Sequence, residues 1–170
     1  IRKFVAFAAG SGITPILSMI KEISHQEVNS EFLLFYANKT SSDVMFQEDI
    51  NSLTNENISA KFIFTREDSE KELYNGRINE SKTMELIKSE ISFLNADAFF
   101  ICGPEEMIFS SKKALESLGL DKEKIKFELF TAPVKKAEEL IVETLNEDFD
   151  GKSKVTVICD DEQVEFDLNK

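Results

Sequence analysis

The apolar run Phe4-Val5-Ala6-Phe7-Ala8 leads directly into Ala9-Gly10-Ser11-Gly12-Ile13-Thr14-Pro15 and then an amphipathic stretch from Ile16 to Ile23. No other segment constrains the fold as strongly. A strand, a glycine turn and a helix start, in that order, make one unit of an α/β sheet. They also make an anion site. Backbone N–H groups point outward from the turn, the helix dipole adds positive potential, and glycines let a phosphate approach the main chain. Thr14 suits the helix cap, and Pro15 suits the first helical position, where its missing N–H costs nothing. Pro15 stands where the usual dinucleotide fingerprint has its third glycine, and no Lys-Ser/Thr pair follows, as a triphosphate-binding loop would require.

The same grammar returns in Ala98-Phe99-Phe100-Ile101-Cys102-Gly103-Pro104-Glu105-Glu106-Met107. Between and beyond these two points, short and nearly continuous apolar runs predict parallel strands near residues 3–9, 31–37, 60–65, 98–102 and 124–130. Helical periodicity fits residues 14–27, 44–53, 81–91 and 105–118, with Asp43 and Ser81 as N-caps and Gly119 as a C-cap. Five strands alternating with helices predict a doubly wound parallel sheet of order 3-2-1-4-5, helices on both faces. In such a sheet, loops at the carboxyl ends of strands beside the switch point share one crevice. Gly12 and Gly103 are therefore expected to face each other across a single cleft.

Taken together, the Gly-Ser-Gly-Ile-Thr-Pro turn at 10–15 and the Cys-Gly-Pro turn at 102–104 resemble the NAD(P)H-binding domain of the ferredoxin–NADP reductase family, over residues 2–130. The resemblance implies that Gly10, Ser11, Gly12, Thr14 and Pro15 hold a dinucleotide, with Gly103 and Pro104 on the nicotinamide side. It implies that Thr65 and Arg66, with Arg77 downstream, hold the 2′-phosphate of NADPH. A guanidinium offers a planar fork of donors suited to that group. Two surface arginines paired with Glu67 or Glu70 are the alternative. Cys102 and Glu128 are the implied catalytic residues: the thiol lies beside the nicotinamide, and Glu128 and Phe130 approach the flavin. Against this stand a buried cysteine acting as a small apolar residue and a phenylalanine that merely packs. Tyr36-Ala37-Asn38-Lys39-Thr40 is similar to a family loop beside the cleft, with alanine and lysine in place of glycine and arginine.

At 170 residues the chain can bury a real core, and 42% hydrophobic residues without a long apolar run exclude a membrane-spanning helix. A net charge of −12 disfavours nucleic acid and anionic membranes as partners. It also means that an anionic cofactor needs cations placed locally. Cys102 and Cys159 are far apart, so neither a zinc site nor a disulfide framework is expected, and a cytoplasmic setting is the default. No metal site is expected in this chain. His25, the one histidine, falls in the last turn of the first helix and carries no expected chemistry.

Residues 131–152 read as a charged linker with a short amphipathic pattern at 134–145. Residues 153–170 then alternate as a two-stranded hairpin, resembling the truncated start of a plant-type ferredoxin domain. The cysteines of a [2Fe-2S] centre are absent here, so FAD and the cluster belong to the full-length protein and not to this fragment. This layout is similar to that of oxygenase reductases, with the reductases of phenylacetyl-CoA epoxygenase systems among the most similar. It implies a flavin domain and a ferredoxin domain on the same polypeptide, an oxygenase as electron acceptor, and a fragment without turnover alone. The alternative is a non-catalytic nucleotide-binding or interaction module of the same fold. A phospho-receiver domain is the other rival, and it is disfavoured because its acidic pocket would need aspartates where Gly10 and Thr65-Arg66 stand.

Overall fold

The computed structural model describes residues 1–129 and the backbone of residues 152–159 and 162–169. The chain divides into two compact units, Ile1–Ala132 and Pro133–Lys170. In the first, β1 (Lys3–Ala9), β2 (Glu31–Asn38), β3 (Ile58–Phe64), β4 (Ala98–Cys102) and β5 (Ile125–Glu128) form a five-stranded sheet. All its pairings are parallel, and the order is 3-2-1-4-5. This is the expected doubly wound topology, with the switch point between β1 and β4.

The strands read as continuous apolar runs because both faces are covered. Alternate residues of β1 and β2 separate cleanly. Val5, Phe7, Leu33 and Phe35 pack with Leu86, Ile87, Ile108 and Leu115 from α3 (Glu80–Ser89) and α4 (Glu105–Ser117). Phe4, Ala6, Ala8, Phe32, Leu34 and Tyr36 meet α1 (Ile13–Gln26) and α2 (Gln47–Leu53) on the other face. Phe7 and Phe35, paired in register, stack with ring centroids 5.1 Å apart. Helix α1 buries Ile13, Ile16, Leu17, Ile20 and Ile23, the spacing of one helical stripe.

Several helix starts differ from expectation. A 3-10 turn, Gly10–Gly12, precedes α1, which is capped by Gly12 with no side-chain bond. Thr14 does not cap. Its hydroxyl instead donates to the Ser11 carbonyl at 3.0 Å. Pro15 is the third helical residue, a position as tolerant as the first because the first four N–H groups of a helix have no intrahelical partner. Asp43 closes a capping box with Thr40 on a separate 3-10 turn, Ser41–Asp43, and α2 starts only after Phe46, a left-handed residue with φ 57°. Asn79 rather than Ser81 caps α3, accepting from the Lys82 N–H at 2.9 Å. Gly119 does end α4. At φ +80° it places its own N–H on Glu116 and that of Leu120 on Leu115, the paired bonds of a Schellman turn.

In the second unit, β6 (Lys152–Cys159) and β7 (Glu162–Asn169) pair antiparallel, as the alternation predicted. The amphipathic pattern at 134–145 and the implied flavin contact Phe130 lie outside the described residues. Among the described residues, no helix is long and apolar enough to cross a membrane.

Candidate functional site

The two glycine turns meet. A Cβ on Gly12 would overlap the Cys102 carbonyl and come within 2.8 Å of the Gly103 nitrogen. Gly103 in turn packs against Ala9 at the end of β1, where an added Cβ would lie 3.1 Å from the alanine methyl. Both glycines are therefore there for space: they let the β1–α1 and β4–α4 corners close on each other. Gly10 differs. Its φ of +52° is one that side chains rarely adopt, and nothing lies within 4 Å of where a Cβ would stand.

Over these corners, at the carboxyl ends of β1–β4, opens a cleft of about 750 Å³. Its floor is Ala9, Gly10 and Ser11 on one side and Gly103 and Pro104 on the other. One end is basic. Lys39, Arg66 and Arg77 line it, all exposed. Among the described residues none of the three has a carboxylate within ion-pair distance. Two acidic residues of the neighbouring loops accept their hydrogen bonds from other donors. Glu67 accepts from the Ser41 N–H at 2.6 Å, and Asp43 accepts from the Thr40 hydroxyl and N–H at 2.7 and 3.0 Å. The Thr40 hydroxyl holds the Asp43 carboxyl below its usual pKa, against burial, with the Thr40 backbone and the charges of Lys39 and Arg66 adding to the effect. Asp43 thus stays ionised at the rim.

The other end carries Glu105 and Glu106, in the first turn of α4. They answer the positive end of that helix dipole themselves. The first turn of α1 has no acidic residue, so its outward N–H groups keep their potential for a bound anion. Ile78, Met107 and Ala37 give the cleft apolar wall.

The predicted residues divide between lining and support. Gly10, Ser11, Thr65, Arg66, Arg77, Gly103 and Pro104 line the cleft. Gly12, Thr14, Pro15 and Cys102 do not; Gly12 is the contact that brings the corners together. Cys102 is 1% exposed, and its thiol donates to the Glu128 carbonyl at 3.8 Å. Burial, and then the Glu128 charge, push its pKa up, so it is a neutral thiol and not a nucleophile. Glu128 pairs with Cys102 in the β4–β5 register and is exposed.

Three residues in or behind the cleft wall carry no signal strong enough to read from the chain alone. Asn38 is 8% exposed, and its amide nitrogen has no hydrogen-bond partner among the described residues. The Tyr36 hydroxyl, 26 residues from Gly10 in sequence, donates to the Gly10 carbonyl at 3.0 Å. Met107 presses its Cε toward Gly103, where an added Cβ would be 2.8 Å away. The Tyr36 and Met107 contacts join separate elements, and the likeness of residues 36–40 to a known loop points to the segment without assigning Tyr36 or Asn38 a role.

Switch-point topology, two glycine corners and a cleft basic at one end define a dinucleotide-binding α/β domain. The chain belongs to the oxidoreductase NAD-binding domain family, whose pattern matches residues 7–113. It is 35% identical over 170 residues to one of the subunits of 1,2-phenylacetyl-CoA epoxidase from Escherichia coli (strain K12), covering 98% of this chain and 46% of that protein. Its fold is similar to the flavohem-like FAD/NAD-binding domain of nitric oxide dioxygenase from Vibrio cholerae O1 biovar El Tor, at TM-score 0.64 and 22% identity over 76% of this chain and 51% of that one. It is also similar to the cytochrome P450 reductase GcoB of Amycolatopsis, at TM-score 0.65 and 16% identity over 77% and 38% of the two chains. The chain spans less than half the length of the curated relatives it matches, 46% of the epoxidase protein and 32% of a Rhodopirellula baltica flavohemoprotein.

Proposed function

We infer that residues 1–130 bind NAD(P)H for a flavin-dependent reductase, with NADPH preferred over NADH. The observation that carries this reading is the polarity of the cleft. Lys39, Arg66 and Arg77 stand at one end and form no ion pair among the described residues, in a chain whose net charge is −12. Three cations against the one ionised carboxylate of Asp43, on such an acidic protein, suit a ligand phosphate. Glu105 and Glu106 at the far end suit the positive charge of an oxidised nicotinamide. The α1 turn between them takes the diphosphate.

The donor set fits the dinucleotide. Arg66 and Arg77, with Thr65, hold the 2′-phosphate; Gly10 and Ser11 face the diphosphate; Gly103 and Pro104 floor the nicotinamide end. Gly12, Thr14 and Pro15 shape the turn from behind. When bound, the dinucleotide supplies a hydride to a flavin, and the protein contributes placement. Cys102, buried behind the cleft with its thiol on the Glu128 carbonyl, would support the nicotinamide end from beneath, while the exposed Glu128 and then Phe130 would approach the flavin. Residues 131–152 are the linker to a ferredoxin-like domain whose first strands are 153–170. A flavin domain on the same polypeptide would hold FAD, and a [2Fe-2S] centre would pass single electrons to an oxygenase. This chain has only two cysteines and cannot hold the cluster itself. The likeness to an epoxidase component supports an aromatic-degradation oxygenase as acceptor, and two cysteines far apart in sequence suit the cytoplasm.

Calorimetric titration with NADP+ and NADH tests this. NADP+ is expected to bind, and Arg66→Ala to weaken it by roughly 10- to 100-fold, the scale of one charge-assisted contact, while NADH changes little. No binding of either nucleotide at millimolar concentration would instead favour a non-catalytic interaction module.

A further inference from the structure

Tyr36 is fully buried near the carboxyl end of β2, on the face covered by α1 and α2. Its hydroxyl reaches out of that apolar cluster to the Gly10 carbonyl, at 3.0 Å. In a trans peptide the carbonyl of one residue and the N–H of the next point in opposite directions. None of the described peptide bonds is cis. A bond that draws the Gly10 carbonyl toward the buried phenol therefore turns the Ser11 N–H the other way. Gly10 and Ser11 both line the cleft, and Ser11 is exposed.

Gly10 is held in that orientation by two donors, because the Ile13 N–H also donates to its carbonyl within the 3-10 turn. It has no side chain, its φ is +52°, and nothing crowds its Cβ position. Glycine is the residue whose flanking peptides turn over most freely. A flipped peptide would aim a carbonyl oxygen at the cleft and repel an anion there. Burial raises the phenol's pKa against smaller opposing effects of the Met45 backbone and the Asn38 side chain, so the hydroxyl keeps the proton it donates.

We propose that the Tyr36 hydroxyl positions the anion-binding turn, holding the Gly10 carbonyl away from the diphosphate of a bound dinucleotide and presenting the Ser11 N–H to it. This rests on reading the cleft as a dinucleotide site. Tyr36 touches no ligand and acts through Gly10.

The test compares the full chain with its Tyr36→Phe variant, titrated with ADP, which carries a diphosphate, and with 2′-AMP, which carries only the phosphate for the Arg66–Arg77 end. Tyr36→Phe is expected to weaken ADP about five- to tenfold, the scale of one hydrogen bond, and to leave 2′-AMP within twofold. In the wild-type chain the Ser11 amide resonance should move on adding ADP and stay in place with 2′-AMP. This second readout stands even if the variant fails to fold. An unchanged ADP affinity, an equal loss for both ligands, or a Ser11 resonance indifferent to ADP would overturn the role of Tyr36 alone. A wild-type chain that binds neither ligand would overturn the dinucleotide reading, and this role with it.

Discussion

Gly10 and Gly12 are two residues apart and are glycine for different reasons, which substitution would separate. At Gly12 any Cβ runs into the backbone of Cys102, the last residue of a central strand, and of Gly103 just beyond it, which has little room to retreat. Gly12→Ala is expected to cost more than about 3 kcal/mol, because overpacking against main chain has no rotamer to relieve it. At Gly10 there is room, and only the positive φ opposes a side chain. Gly10→Ala is expected to cost about 1–2 kcal/mol. Urea denaturation of both variants checks the contrast; equal losses would mean that the two corners do not pack as described. The repeated glycine is visible in the sequence, but which glycine serves packing and which serves conformation is not. That distinction depends on a strand roughly ninety residues further along the chain.

At the scale of elements, one network ties the start of β1 to the end of α1. Arg2 pairs with Glu27 and donates to it through two nitrogens, and the Ser30 hydroxyl donates to the same carboxylate at 3.0 Å. The Arg2 hydrogen bond holds the Glu27 carboxyl below its usual pKa, with the Ser30 bond assisting against burial. A carboxylate whose folded pKa is depressed adds stability above its unfolded value of about 4.3, and that stability is lost as pH falls through the folded value. Lowering the pH from 7 to 3 should therefore reduce the urea midpoint, and Glu27→Gln should show a smaller reduction over the same range. An identical pH response in the two proteins would remove this network from the account. Helix existence and sheet order were legible because apolar spacing reports them directly. Helix starts were less so: Ser81 and Asn79 are both competent caps two residues apart, and only the path of the chain out of Ile78 selects between them.

For the molecule as a whole, every described residue lining the cleft lies between Ala9 and Ser110, within the first compact unit. A chain cut after Ala132 is therefore expected to keep the NADP+ affinity of the longer chain within about twofold, well inside the roughly 1.4 kcal/mol that makes a tenfold change. A larger loss by calorimetry would place part of the site in the second unit. Strand order, the two-faced core and the meeting of both glycine corners at the switch point could be read from the residues themselves. Period and turn chemistry are local properties, and the right-handed crossover leaves little choice in how such units wind. What the tertiary structure alone decided is which groups are spent and which remain free. Glu67 and Asp43 accept from backbone and hydroxyl donors, and Arg66 and Arg77 form no ion pair among the described residues, while the Cys102 thiol is turned inward and the Tyr36 phenol reaches Gly10. Such pairings join residues distant in the chain, and their geometry exists only once the sheet has formed.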